Sequence, residues 1–100
     1  MKTECRLFFE TMATELKIDI VVSLKEKPMY VNELSEHLNQ ERSKVSHALK
    51  SLLECGIVTV NKDGKKRVYS LNKDTILPLL NLVERHVKKY CKICKKGGKK

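Results

Sequence analysis

One hundred residues with 21 Lys and Arg against 12 Asp and Glu carry a formal net charge of +9, which suits a polyanionic partner, nucleic acid before an acidic membrane surface. Aromatic residues make up 5% of the chain, with no Trp, which argues against a stacking platform for single-stranded nucleic acid. No signal-peptide h-region is visible and the longest near-apolar run, Ile18 to Leu24, is far too short to cross a bilayer, so a soluble cytoplasmic protein with no membrane partner is expected.

Residues 3–12 (TECRLFFETM) set Cys5, Phe8, Phe9 and Met12 on one face of a short first helix. Thr14 is placed to N-cap a second helix running to about Lys25, its hydroxyl accepting from the free N–H groups of the first turn. That helix carries Leu16, Ile18, Ile20, Val21, Val22 and Leu24 nearly all round, as a central core helix would. Its β-branched run also fits a strand, but its length and its charged ends favour helix. Pro28 closes it. Met29–Tyr30–Val31 is short and extended, Asn32 is expected to cap a third helix that turns Leu34 and Leu38 inward, and Asn39 suits the left-handed residue that ends it.

From about Glu41 to Cys55, Val45, Ala48, Leu49, Leu52 and Leu53 form the stripe of a helix that buries one face. Arg42, Ser43, Lys44, Ser46, His47, Lys50 and Ser51 line the other face, with no acidic residue before Glu54. A short helix, a corner and then such a helix is what a helix-turn-helix puts into the major groove of double-stranded DNA. After Gly56, two alternating runs, 57–62 and 67–71, flank Asp63–Gly64, a strong hairpin signal whose tip carries Lys62, Lys65, Lys66 and Arg67. The residues expected on DNA are therefore Arg42, Ser43, Lys44, Ser46, His47 and Lys50 on the helix and the four cations of the hairpin. Lys and Arg neutralise phosphates and supply affinity, while Ser46 and His47 have groups for base edges, although a lone His suits a phosphate equally. A merely solvated basic face is the plainer alternative. The helix spacing, the hairpin and the net charge together weigh against it.

The last helix begins near Lys73 or Asp74 and runs past Tyr90, with Pro78 near its first turn, where a missing N–H costs little. Ile76, Leu80, Val83, Val87, Tyr90 and Cys94 follow a/d spacing, and Leu77, Leu79 and Leu82 widen the stripe. One small domain cannot cover so wide a stripe alone. A homodimer is expected, with Phe8, Phe9, Met12, Ile76, Leu80, Val83, Val87 and Tyr90 at its interface. The fold class is mainly α with a β-hairpin wing, a winged helix-turn-helix of order α-α-(β)-α-α-β-β-α, dimeric through its first and last helices. Residues 1–90 form that domain, and the Lys- and Gly-rich residues 91–100 form a partly disordered tail.

Four cysteines in a reducing cytosol read as thiols or metal ligands rather than structural disulfides. Cys55, on the apolar side of a helix end, reads as a core thiol. Cys91-Lys92-Ile93-Cys94 presents two sulfurs in basic surroundings that favour thiolates. A closed zinc site wants four ligands, so Cys5 is drawn in beside Cys91 and Cys94 for zinc or another thiophilic ion, with His86 as a weak fourth. No cofactor is certain: a redox-sensing dithiol and a tail without a role are the alternatives. An enzyme is not expected, because no Ser–His–Asp set, carboxylate pair or phosphate-cradling glycine loop is present.

Residues 12–20 (MATELKIDI) resemble the "L-x-D-x-T-R-L-x-I-L" motif of the arsenical-repressor-like (ArsR/SmtB) family. Residues 44–52 (KVSHALKSL) are similar to its "xVSxHLxxL" recognition helix, residues 54–58 (ECGIV) to its "E-A-G-L-V", and residues 64–71 to its wing ending in "R-x-V-Y-Y-x-L". The resemblance covers about residues 12–71 and implies a homodimeric transcriptional repressor whose operator binding is relieved by a metal or an oxidant. The family's paired cysteines would fall in 31–35, where there are none, and its zinc pattern near Lys73, Thr75, His86 and Lys89 keeps only His86. Its capping Ser is Glu41 here. Three functions stand side by side: a repressor with a thiol-based sensor, a constitutive or architectural DNA-binding protein, and a winged-helix protein–protein module.

Overall fold

In the computed structural model, which describes residues 3–93, the chain runs α1 (Thr3–Met12), α2 (Glu15–Glu26), β1 (Met29–Tyr30), α3 (Val31–Leu38), α4 (Arg42–Glu54), β2 (Val58–Asp63), β3 (Lys66–Leu71) and α5 (Ile76–Tyr90). The strands form one antiparallel sheet in the order β1-β3-β2. This is a winged helix-turn-helix: α3 and α4 are the helix-turn-helix and β2–β3 the wing. Among the described residues no helix is long and apolar enough to cross a membrane.

The core lies where α2, α3 and α4 meet the sheet. Leu34, Val45, Leu49, Leu52 and Ile57 are wholly buried there. Each such aliphatic side chain contributes about 1.5–3 kcal/mol relative to exposure. The predicted stripe of α4 is thus sealed, except that Leu53 packs only partly against the core. Thr14 caps α2 as expected, extended at φ −91° and ψ 145°, its hydroxyl accepting from the Lys17 N–H at 3.4 Å. Asn39 takes the left-handed conformation (φ 54°, ψ 50°) that ends α3, its N–H bonded to the Glu36 carbonyl at 3.2 Å.

Several expectations are corrected. α2 is not buried all round: Ile20, Val21 and Leu24 face the core, whereas Ile18 and Val22 stay 43% and 55% exposed because nothing in the protomer covers that side. The residue preceding α3 is Tyr30, not Asn32. Pairing of β1 with β3 holds Tyr30 extended, Val31 is already helical, and the Glu33 carboxylate accepts the Tyr30 N–H at 2.9 Å. The hairpin register shifts by one: Asp63 pairs with Lys66, leaving Gly64–Lys65 as the two-residue loop. Gly64 takes φ +67°, a value that favours glycine. Cys55 is exposed, not a core thiol, because α4 ends just before it, and its S–H donates to the Thr11 hydroxyl at 3.4 Å.

α5 begins later than expected because Asn72 organises the turn before it. The Asn72 side-chain oxygen accepts the Asp74 and Thr75 N–H groups at 2.9 and 3.3 Å, and its amide donates to the Gly56 carbonyl at 2.8 Å. Pro78 accordingly falls in the first turn of α5. Ile76, expected on the partner-facing seam, is buried in the protomer core, since the turn folds it onto the domain. Leu77 and Leu80 pack beside it, and Lys25 Nζ reaches Glu84 Oε2 at 2.6 Å. The helix leaves Leu82, Val83 and Tyr90 exposed to solvent. α1 buries no residue fully, with Phe8 and Met12 resting on the core and Leu7 and Phe9 exposed.

Candidate functional site

The corner between α3 and α4 is fixed from both sides. Gln40 N–H bonds to the Ser35 carbonyl at 3.0 Å and the Ser35 hydroxyl donates to the Gln40 carbonyl at 2.5 Å. Glu41 precedes α4 without a side-chain capping bond, although its charge suits a helix N-terminus. Arg42, Ser43, Lys44, Ser46, His47 and Lys50 are all exposed, opposite the sealed stripe. These residues supply donors suited to phosphate oxygens and base edges. The start of α2 adds to this face. Thr14, Leu16 and Lys17 join Ser43, Lys44, His47 and Ala48 around an open, mainly apolar cleft of about 400 Å³. Lys17 therefore sits beside the donor face, which helical periodicity within α2 does not disclose.

The wing presents Lys62, Lys65, Lys66 and Arg67, all exposed. Its one carboxylate, Asp63, accepts a hydrogen bond from the Tyr30 hydroxyl at 2.6 Å, and Lys66 Nζ lies 5.0 Å from the centre of the Tyr30 ring. The Tyr30 hydroxyl is held above the ordinary tyrosine range, first by this bond to Asp63, then by partial burial and the negative charges of Asp63 and Glu33. It stays a donor. Tyr30 is absent from the sequence-derived site because its partner lies 33 residues away.

The thiols are dispersed. Cys5 is free and exposed on α1. Cys91 follows α5 half-buried, its N–H bonded to the Val87 carbonyl at 3.3 Å, and is disulfide-bonded rather than a thiol, a state in which its sulfur is no thiolate ligand. Cys94 lies outside the described residues, as does most of the predicted tail. His86 is exposed, its ring tilted against that of Tyr90 with the centres 5.4 Å apart. Among the described residues no three His, Cys, Asp or Glu side chains come together to hold a metal ion, so those residues do not by themselves fit a metal centre. Of the expected interface residues, Phe9, Val83 and Tyr90 are exposed and Phe8, Met12, Leu80 and Val87 half-buried.

A model of bacterial regulatory proteins of the arsR family matches residues 14–60, spanning α2, the helix-turn-helix and the first half of β2. The HTH-type transcriptional regulator NmtR of Mycobacterium tuberculosis is 33% identical over 72 residues, which cover 72% of this chain and 60% of that protein. The chain thus spans about three-fifths of that relative's length. The arsenical resistance operon repressor of Staphylococcus aureus is 29% identical over 98 residues, 94% of each chain. The solution structure of the homodimeric winged helix-turn-helix DNA-binding domain of Mb0332 from Mycobacterium bovis superposes with a TM-score of 0.80 over 89% of this chain and 82% of that one. At 16% identity, that likeness speaks for the fold alone.

Proposed function

We propose that the chain is an ArsR-like winged helix-turn-helix protein and, from that premise, a homodimeric, sequence-specific transcriptional repressor acting on double-stranded DNA. α4 enters the major groove with Ser43, Lys44, Ser46, His47 and Lys50 toward bases and phosphates and Arg42 at its leading end. The wing lays Lys62, Lys65, Lys66 and Arg67 along the neighbouring backbone. The observation that carries this reading is the division of α4: four residues sealed inside, six donors exposed opposite, and no carboxylate among them before Glu54. The second protomer covers α1 and the outer half of α5, where Phe9, Leu82, Val83 and Tyr90 stand exposed. A twofold axis then presents two α4 helices to half-sites one helical turn apart, about 34–36 Å.

Fluorescence anisotropy on a selected duplex and on random duplex, across a salt series, tests this. The expected preference is about 10³-fold or more at physiological salt, with log K falling by about 0.9 per log salt for each phosphate contacted. Equal affinity for both duplexes would instead favour the architectural reading, and no binding to either would favour the protein–protein module.

Regulation, in this reading, belongs to Cys5, Cys91 and Cys94, with Cys91 in its oxidised, disulfide-bonded form in this structure. A dithiol at 91–94 loses two protons and two electrons to a hydroperoxide, forming one S–S bond while the peroxide becomes alcohol and water. A thiophilic ion such as zinc on the reduced cysteines is the alternative input. Coupling of about 1–3 kcal/mol to the angle between protomers suffices to change operator occupancy. Operator affinity with reductant, with peroxide and with added zinc, repeated in Cys91→Ser/Cys94→Ser, separates the inputs. An affinity unchanged by all three would remove the sensor.

A further inference from the structure

The wing outruns its support. β1 pairs with β3 at Met29↔Tyr69 and Tyr30↔Val68 and then stops, whereas β2 and β3 continue through Lys62↔Arg67 to Asp63↔Lys66. The tip that carries the four cations is thus a bare two-stranded ribbon, an arrangement of marginal stability in water. Tyr30, the last residue of β1, spans this gap. Its hydroxyl donates to Asp63 on β2 at 2.6 Å, and its ring lies under Lys66 on β3 at 5.0 Å, so one side chain holds both members of the terminal pair. Its own N–H is anchored on Glu33 in the first turn of α3 at 2.9 Å. A continuous set of contacts runs from the helix-turn-helix to the end of the wing.

The same contact settles the wing's electrostatics. Asp63 is the only carboxylate on β2, the loop and β3. Released, it stands among Lys62, Lys65 and Lys66, where it would neutralise a cation or repel a phosphate. Bonded to the neutral Tyr30 hydroxyl of β1, it forms no ion pair with any of the four cations among the described residues.

We propose that Tyr30 is the positioning residue of the wing, fixing the cationic tip relative to α4 and withdrawing Asp63 from the surface that meets phosphate. This rests on the DNA-binding reading for its consequence, but not for its geometry. The test is Tyr30→Phe, which keeps the ring and removes the hydroxyl, read in two ways. Hydrogen exchange of the amides from Lys62 to Arg67 should quicken severalfold while those of α4 from Val45 to Leu52 keep their rates, since the lost bond is exposed and contributes little to global stability. Affinity for a selected duplex long enough to lie under the wing should fall about fivefold, with no fall on a duplex trimmed to the major-groove contacts. Asp63→Asn should raise affinity more in the Tyr30→Phe background than in the parent protein, a non-additivity that a role of Tyr30 unrelated to Asp63 would not produce. Unchanged wing exchange overturns the brace, and so does equal loss on long and trimmed duplexes. Faster wing exchange in a protein that binds no duplex upholds the brace and overturns the DNA reading instead.

Discussion

α4 and α5 are amphipathic helices of similar length, 13 and 15 residues, written in the same helical period, yet α4 buries four residues and α5 one. The stripe of α4 meets α2, α3 and the sheet within the protomer. The stripe of α5 meets the domain through Ile76, Leu77 and Leu80 and then runs on with Leu82 and Val83 exposed by 54% and 48%. Periodicity states that a helix has a face to hide and says nothing of what hides it. In this chain the helix-turn-helix half is finished by its own protomer, while the terminal helices remain open, together with Ile18 and Val22 on the outer side of α2.

The largest expected effect breaks that comparison at its open end. Val83→Glu places a carboxylate on the uncovered stripe. It should leave the circular dichroism of the protein unchanged, convert the sedimenting species to monomer, and lower affinity for a two-half-site duplex by about 10²–10⁴-fold through loss of bivalency. A Val83→Glu protein that still sediments as a dimer would mean that the second copy sits elsewhere. In that monomeric background the two stripes can be weighed directly by urea unfolding. Leu49→Ala, at a wholly buried position, should cost about 2–5 kcal/mol, whereas Leu82→Ala should stay within about 0.5 kcal/mol. Similar costs at both positions would mean that α5 is packed within the protomer after all.

Asn72 joins the two halves, and its side chain bonds Gly56 at one end and the turn into α5 at the other. Asn72→Ala should cost about 1–2 kcal/mol by freeing those partners, less than a core deletion because solvent reaches the site. Hydrogen exchange of the Asn72→Ala protein should show the start of α5 loosening before α4. This contact also marks the limit of what the chain discloses in one dimension. The boundaries of α1, α2 and α4, the left-handed Asn39 and the six donors of α4 follow from local pattern, because caps and stripes depend on neighbours within a turn or two. The entry to α3, the hairpin register and the start of α5 depend on Tyr30 meeting Val68, Asp63 meeting Lys66 and Asn72 meeting Gly56, pairings across the fold that periodicity does not encode. Cys55 and Ile76 exchanged expected environments for the same reason. Each sits where an element ends, and one residue of shift decides which way it faces.

The smallest expected effect asks whether the finish of the helix-turn-helix half extends to its surface charges. The Tyr30 hydroxyl is raised above its ordinary value, with the bond to Asp63 as the leading cause. A group whose folded value lies above its unfolded one contributes stability that is fully present below the unfolded value, near pH 10 for tyrosine, and lost as pH rises through the folded one. The brace is therefore intact at neutral pH and should open only in strong alkali, where ionised Tyr30 faces the Asp63 carboxylate. Following the Tyr30 ring carbon by NMR should give a midpoint that falls toward the ordinary value in Asp63→Ala, because that change removes both the acceptor and the charge. A Tyr30 midpoint indifferent to Asp63→Ala would leave the charged surface of the wing as unorganised as the outer face of α5.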